Sequence, residues 1–425
     1  MIPYSELTPV ELEKQMEAER ERFEAYKKAG LKLNMARGKP STEQLDLVRD
    51  ILTVFASPED CFVDGVDARN YGELSGLQCA KNYWAELLGC QAEEIFVGGN
   101  ASLTLMYDTI SKAYTHGLWR SEKPWCKLDK VKFLCPAPGY DRHFLVTESF
   151  GAELVTVPML PTGPDMDLVE ELVKDPAVKG MWCVPKYSNP DGYTYSDETI
   201  GRIAHLKPAA PDFALMWDNA YCVHEFDSAF QPFADILTLC REAGNPDMVY
   251  EFASTSKITL PGAGMSCLAA SKENIAYLTK LIGVQIISYD KMNQLRHVRF
   301  LQDKAHTLKL MARHGEILRP KFQTVYEKLQ KEVGGLGIAH WTEPKGGYFV
   351  SLYAMPGTAK RVWALCKEAG VILTGAGATY PYGVDPEDSN LRIAPSFPPV
   401  RELEQAMDVL CCAVRLAALE KLLEK

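Results

Sequence analysis

Apolar and polar positions along this chain follow two different periods. Residues 8–29, from Thr8-Pro9-Val10-Glu11-Leu12 onward, place apolar side chains at helical spacing among many charges. That pattern predicts an amphipathic helix, followed by a loop at Ala36-Arg37-Gly38-Lys39-Pro40-Ser41. From about residue 75 to 285, short apolar runs alternate with helical periods. Lys130–Pro136, Glu153–Leu160, Gly180–Pro185, Phe213–Trp217, Val249–Ala253 and Met265–Ala270 read as strands, and most gaps between them accommodate a helix. This order predicts an α/β fold with a mostly parallel sheet covered by helices on both faces. Ligands collect at the carboxyl ends of such strands, and Asn189, Asp218 and Lys257 each fall just after an apolar run. One shared site is the expectation.

After Tyr289 the helical period runs from Asp290 to about Gln330 as a single spine between two domains, until Gly334-Gly335 stops it. The remainder, Thr342 to Lys425, mixes short strands (Gly347–Tyr353, Val371–Leu373, Leu391–Ile393) with two helices. Residues 50–310 are expected to form a large domain, and residues 1–49 with 311–425 a smaller α+β domain. No internal repeat and no low-complexity linker interrupts this plan.

Composition narrows the function classes. A chain of 425 residues with 47% hydrophobic and 24% charged residues matches an ordinary globular protein. The net charge of -10 is spread along the chain and argues against nucleic acid as the main partner. No apolar run is long enough to span a bilayer, and Met1-Ile2-Pro3-Tyr4-Ser5-Glu6 lacks the basic head and apolar core of a signal peptide, so a cytoplasmic location is expected. The cysteines, among them Cys61, Cys79, Cys90, Cys135, Cys183, Cys240, Cys366 and the adjacent Cys411-Cys412, show no CxxC spacing and read as reduced core residues. The eight histidines form no metal-type pairs.

The candidate chemistry starts from Lys257 in Ser254-Thr255-Ser256-Lys257, after Val249–Ala253 and before Pro261-Gly262-Ala263-Gly264. A desolvated lysine loses proton affinity and attacks carbonyls, so a covalently held aldehyde cofactor is the first expectation. Asp218 ends a buried run, where a carboxylate is costly unless a cation meets it; a protonated pyridine nitrogen would serve, and so would a helix-capping role. Tyr221 follows three residues later and could donate to a phenolate oxygen. Asn189, in Ser188-Asn189-Pro190-Asp191-Gly192, also reads as an ordinary turn. Gly98-Gly99-Asn100-Ala101-Ser102 opens a helix and could cradle a phosphate, although it is not a GxGxxG fingerprint. Arg37-Gly38-Lys39-Pro40 is no nucleotide P-loop, because Leu33 occupies the required glycine position. Arg392, between apolar neighbours, wants a bidentate anion such as a substrate carboxylate, or an internal salt bridge. Tyr140 could stack on a flat ring or pack in the core.

Together these segments resemble the fold-type I, pyridoxal-phosphate-dependent aminotransferases of class I over nearly the whole chain. The Asn-Pro turn, the Asp-x-x-Tyr strand end, the Ser-x-x-Lys segment and the late arginine carry the resemblance. The Arg37–Pro40 loop, Pro261–Met265 and Asp290-Lys291-Met292-Asn293-Gln294-Leu295-Arg296-His297 are most similar to bacterial aspartate aminotransferases of subgroup Ic. The resemblance implies that Lys257 binds the aldehyde of pyridoxal 5'-phosphate and that Asp218 pairs with the pyridine nitrogen, backed by His143. Tyr221 and Asn189 would flank the phenolic oxygen, and Tyr140 would stack on the ring. Asn100, Ala101, Ser102 and Ser254 would hold the phosphate, with Tyr71 reaching across from the other subunit of a homodimer. Arg392, Asn189 and Gly38 would meet the substrate, with Arg37, Lys39 or Arg296 for a second carboxylate. One departure is that Pro261-Gly262-Ala263-Gly264-Met265 lacks the family's usual phosphate-binding arginine.

The implied reaction is amino transfer from L-aspartate to 2-oxoglutarate. Alternatives on the same cofactor are transfer from aromatic or aminoadipate-like donors, or a β-lyase. A ligand-sensing or scaffold protein on the same fold would bind without turnover, and the lack of a DNA-binding segment before residue 30 counts against it. A nucleotide-dependent enzyme is disfavoured by the missing glycine fingerprints.

Overall fold

The computed structural model describes residues 2–424; Met1 and Lys425, the end points of the expected smaller domain, lie outside the described residues. A sheet of eight strands organises the centre of the chain. Its strands are β1 (Ile95–Val97), β2 (Lys132–Ala137), β3 (Glu153–Leu160), β4 (Gly163–Pro164), β5 (Val178–Cys183), β6 (Ala214–Asp218), β7 (Val249–Ser254) and β8 (Ser266–Ala270). Their spatial order is β1-β8-β7-β6-β5-β2-β3-β4. The pairs β7/β6, β6/β5, β5/β2 and β2/β3 are parallel, whereas β8 runs antiparallel to both β7 and β1. The carboxyl ends of β1, β2, β5, β6 and β7 therefore share one edge.

Both faces of the sheet are covered, which is why its strands read as nearly unbroken apolar runs. Successive residues point to opposite cores: Met181, Leu215 and Ala253 to one, Trp182, Met216 and Phe252 to the other. Several strands begin or end a residue or two from the expected bounds, and β5 does so at both ends. β5 starts at Val178, two residues before the expected Gly180, and includes Lys179, whose Nζ donates to Asp212 Oδ1 at 2.7 Å, so a buried ion pair lies within the strand. It ends at Cys183, because Pro185 has no N–H for the ladder.

A separate buried cluster joins the two ends of the chain. The first helix, Pro9–Lys28, is closed by a Thr8–Glu11 capping box and buries Leu12 and Phe23 with Leu403, Met407 and Leu410 of the Val400–Leu423 helix. Leu33–Asn34 pairs in parallel with Val371–Ile372, and Ala339–Trp341, Val350–Ala354 and Asn390–Ile393 form a three-stranded sheet over the same cluster.

The single spine expected over Asp290–Gln330 is instead two helices, Lys291–Leu301 and Lys304–Glu332. Gln302 takes a left-handed φ of 62°, and the Asp303 carboxylate caps the second helix by accepting from His306 N–H at 2.8 Å. The second helix does bridge the cores: Met311 belongs to the sheet side, while Leu318, Phe322, Val325 and Leu329 belong to the terminal cluster. Among the described residues no helix is long and apolar enough to cross a membrane, and all twelve cysteines are unpaired.

Glu251 in β7 is buried among apolar neighbours, and burial pushes its carboxyl up to about 8, against a hydrogen bond from Asn219. The folded protein holds that proton where the unfolded chain, titrating near 4.5, has released it. Stability from this group is complete below that unfolded value and declines as pH rises toward the folded one. Glu251→Gln should therefore gain stability relative to the parent as pH rises from 5 to 8; denaturation midpoints that move in parallel would refute this.

Candidate active site

At the shared strand edge lies a cavity of about 680 Å³ that contains Lys257, Asp218, Tyr221, Asn189, Tyr140, Ala101, Ser102, Ser254 and Arg392 in its wall. The loop residues Arg37, Gly38 and Lys39 close it from the terminal cluster's side. A second cavity, about 590 Å³ between Tyr187–Thr194 and Trp341–Lys345, holds none of these groups.

Lys257 lies three residues beyond β7, in a turn fixed by Thr255, whose backbone N–H donates to Met265 O and whose Oγ1 accepts from Met265 N–H. Its Nζ sits 5.0 Å from the centre of the Tyr221 ring and 5.9 Å from that of Tyr348. Burial lowers the proton affinity of this amine; the Asp218 carboxylate opposes the shift and the Arg392 guanidinium adds to it. Burial also pushes the Tyr221 phenol well above its ordinary value, with the Tyr140 phenol and Asp218 contributing.

Asp218, the last residue of β6, is 4% exposed. Its Oδ2 accepts from His143 Nε2 at 3.0 Å, and Oδ1 has no partner among the described residues. His143 is 1% exposed and stacks on Trp182, ring centres 4.3 Å apart, so its orientation is fixed by packing. The next residue, Asn219, donates its N–H to Phe252 O and its side-chain amide to Glu251, which locks the strand end. Tyr140 precedes the Asp141–Ser149 helix and meets the His143 ring edge-on at 4.9 Å.

Arg392 reaches the cavity from the three-stranded sheet. One of its terminal nitrogens, Nη1, donates to Asn189 Oδ1 at 3.1 Å and Asp141 Oδ1 at 3.3 Å, and Nη2 donates to Thr374 Oγ1 at 3.0 Å. Its Nε is buried without a partner among the described residues, and its guanidinium lies 4.8 Å from the centre of the Phe349 ring. Gly38 packs so tightly on that ring that a Cβ there would lie 2.6 Å from Phe349 Cζ. The Lys39 ammonium rests 3.8 Å from the Phe397 ring centre.

The Ser102–Thr115 helix opens at Ala101 against the cavity and brings the positive end of its dipole there. Ser254 and Ser256 face the same end, their hydroxyls 3.2 Å apart, and Ser256 Oγ also donates to Asn100 O. Asn100 thus braces the cradle through its carbonyl and is not in the cavity wall. Pro261–Gly264 adds no cation, so hydroxyls and backbone N–H groups form this end. Besides Asn100 and His143, which act from behind the wall, two further predicted residues stand outside the cavity of their own chain: Tyr71, 80% exposed, and Arg296, whose Nη2 donates to Asn293. Ser256, Arg142, Thr374 and Phe349 line the wall without having been singled out from sequence. Only Arg142 and Ser256 had a signal, as neighbours of Tyr140 and Lys257.

A mostly parallel sheet with a lysine, a buried aspartate and an arginine from the three-stranded sheet around one cleft defines a fold-type I aminotransferase. The sequence profile of the family "Aspartate amino-transferase" matches residues 7–425, and the chain belongs to that family. An aspartate aminotransferase of Corynebacterium glutamicum is 48% identical over 94% of this chain and 92% of its own length. The crystal structure of an aspartate transaminase from the same species superposes with a TM-score of 0.96, at 46% identity, covering 99% of each chain. An α-aminoadipate aminotransferase of Thermus thermophilus shares the fold with a TM-score of 0.74 at 22% identity, over 92% of this chain and 93% of that one. The chain is an aminotransferase.

Opposite charges tune Lys257, and each can be removed. In the cofactor-free protein, Asp218→Asn should lower the titration midpoint of the Lys257 amine and Arg392→Met should raise it. The pH dependence of Lys257 reductive methylation, read by mass spectrometry, tests both signs; a shift of either variant in the other direction would contradict the electrostatic account.

Proposed function

We propose that this protein transfers the amino group of L-aspartate to 2-oxoglutarate, giving oxaloacetate and L-glutamate, with pyridoxal 5'-phosphate bound in the cavity. The observation that carries the proposal is the buried Asp218 Oδ1, left without a partner in the cavity that also holds Lys257. An orphaned carboxylate oxygen at one edge and a nucleophilic amine at another suit a flat, cationic heteroaromatic aldehyde. The hydroxyl and helix-terminus cradle suits its phosphate. When bound, pyridoxal phosphate supplies an aldehyde that captures amines and a ring that accepts the electron pair released at the substrate α-carbon.

The chain's own residues would do the rest. Asp218 holds a proton on the ring nitrogen, and His143, wedged against Trp182, keeps that carboxylate oriented. Tyr140 covers the ring face, while Tyr221 and Asn189 donate to its phenolic oxygen. Ala101, Ser102 and Ser254 hold the phosphate, with Asn100 bracing Ser256. Lys257 Nζ, whose proton affinity burial lowers, would take the α-proton of the amino acid. Arg392 offers Nε and its terminal nitrogens to the α-carboxylate, near Asn189 and Gly38. Arg37 and Lys39 line the same cavity and are candidates for the second carboxylate, and Arg296 would serve only from a second copy.

We further propose a homodimer in which Tyr71 completes the other copy's phosphate site, two domains divided near residues 50 and 310, and residence in the cytoplasm. The 80% exposure of Tyr71 supports the first, the separate buried clusters the second, and twelve unpaired thiols the third.

The test is a half-reaction. Protein loaded with pyridoxal phosphate and given L-aspartate alone should release about one equivalent of oxaloacetate per site, and 2-oxoglutarate should then return the original absorbance. Lys257→Ala should slow this by at least about 10²–10⁴-fold, the scale of general base catalysis. Release from aminoadipate or aromatic donors but not from aspartate would overturn the substrate assignment.

A further inference from the structure

The cofactor cavity leaves unexplained a lysine buried on the far side of the Lys257 turn. Lys291 opens the Lys291–Leu301 helix and is 3% exposed. Its Nζ donates to Asn70 O at 2.5 Å, Gly72 O at 3.0 Å and Ser288 Oγ at 3.3 Å. No carboxylate lies within ion-pair distance among the described residues. All three of its donors are thus spent on neutral acceptors, two of them the carbonyls that flank Tyr71. Burying an amine this way is expensive, and the segment it fixes exposes its single aromatic side chain almost completely.

The rest of the helix extends the same bracket. Gln294 Oε1 accepts from Leu77 N–H at 2.8 Å, which ties down the end of the Tyr71 segment. On the other side, Asn293 Nδ2 donates to Gly264 O at 2.7 Å, and His297 Nε2 lies 2.9 Å from Thr259 Oγ1. Gly264 and Thr259 belong to the turn that carries Lys257. One short helix therefore grips the segment that presents Tyr71 with one set of side chains and the Lys257 turn with another.

We propose that Lys291 is a positioning residue that acts on the cofactor site of the other copy of the chain, by holding the Asn70–Gly72 carbonyls so that Tyr71 projects at a fixed angle. The inference rests on the reading above that Tyr71 serves a second copy. Without the amine, both carbonyls lose their donors, the segment relaxes, and the partner's phosphate end loses a ligand although its own residues are intact.

The experiment pairs two tagged chains and purifies the mixed dimer. Lys291→Met alone should retain pyridoxal phosphate about tenfold more weakly on dialysis, read by absorbance, the scale of one to two lost hydrogen bonds. Lys257→Ala alone should lack the covalent cofactor. In the mixed dimer, the site with an intact Lys257 lies on the Lys291→Met chain but receives Tyr71 from the other. That site should recover parental retention, about half of the parental total per dimer. Persistent weak retention would mean that Lys291 acts within its own chain and would overturn the inference. A parallel mixture of Tyr71→Phe with Lys257→Ala separates the two ideas. If it recovers and the Lys291 pair does not, only the inference fails; if neither recovers, the shared-site reading fails with it. Should Lys291→Met chains not associate, Lys291→Gln, which keeps a shorter donor, replaces them and should give a smaller loss with the same recovery in trans.

Discussion

A carboxylate buried at the end of a strand, with one oxygen satisfied and one not, is the constraint around which this protein is arranged. Leaving a charged oxygen dry and unpaired costs several kcal/mol in a protein interior, so a site that keeps one has a cationic occupant as its natural complement. The surroundings of Asp218 hold the group in that state. His143 takes Oδ2 and is itself pinned by Trp182, so it cannot swing to serve the other oxygen. Asn219 is tied to the neighbouring strand through Phe252 O and Glu251. The strand end cannot relax to bring Oδ1 another donor, and the demand for a cation is built into the packing.

Lys257 is set by a balance of the same kind. Burial and Arg392 both disfavour its proton, and Asp218 favours it. In the proposed reaction a substrate carboxylate arrives at Arg392 and offsets part of the guanidinium's field. The amine then gains proton affinity just when a base is required, so substrate binding strengthens the base that acts on it. A positive cleft wall also attracts dicarboxylates to a chain of net charge -10, through local field and in spite of overall charge.

Much of this was legible in the sequence because the chemistry sits where apolar runs end. Asp218, Asn189 and Lys257 each terminate or follow a strand, and parallel sheets gather such positions at one edge. Arg392 was legible for a related reason, as a charge flanked by apolar neighbours. What could not be read depends on partners distant in sequence. Lys179 looked like a strand boundary because Asp212, which neutralises it, lies on a different segment. The helix break at Gln302 is a backbone conformation imposed by the Asp303 cap, and helical periodicity alone runs straight through it. Thr374 and Phe349 have no motif at all; they matter because the terminal cluster folds back over the sheet. The acceptors of Lys291 are backbone carbonyls, which every sequence has and no sequence marks.

The placement of Arg392 decides how the two halves of the molecule cooperate. The arginine belongs to the sheet of the terminal cluster, yet its hydrogen bonds to Asn189 and Asp141 cross to the large sheet. In the proposed reaction, a substrate carboxylate shares the guanidinium with these two or displaces one. Asp141 is the weaker hold, at 3.3 Å with its side chain 25% exposed, and it repels an incoming anion. Asn189, neutral and buried, can stay and orient the guanidinium face. Exchange of Asp141 for a substrate carboxylate keeps the charge pairing of Arg392 while freeing Asp141 to water. In that reading the substrate itself would take the place of Asp141 between the two sheets.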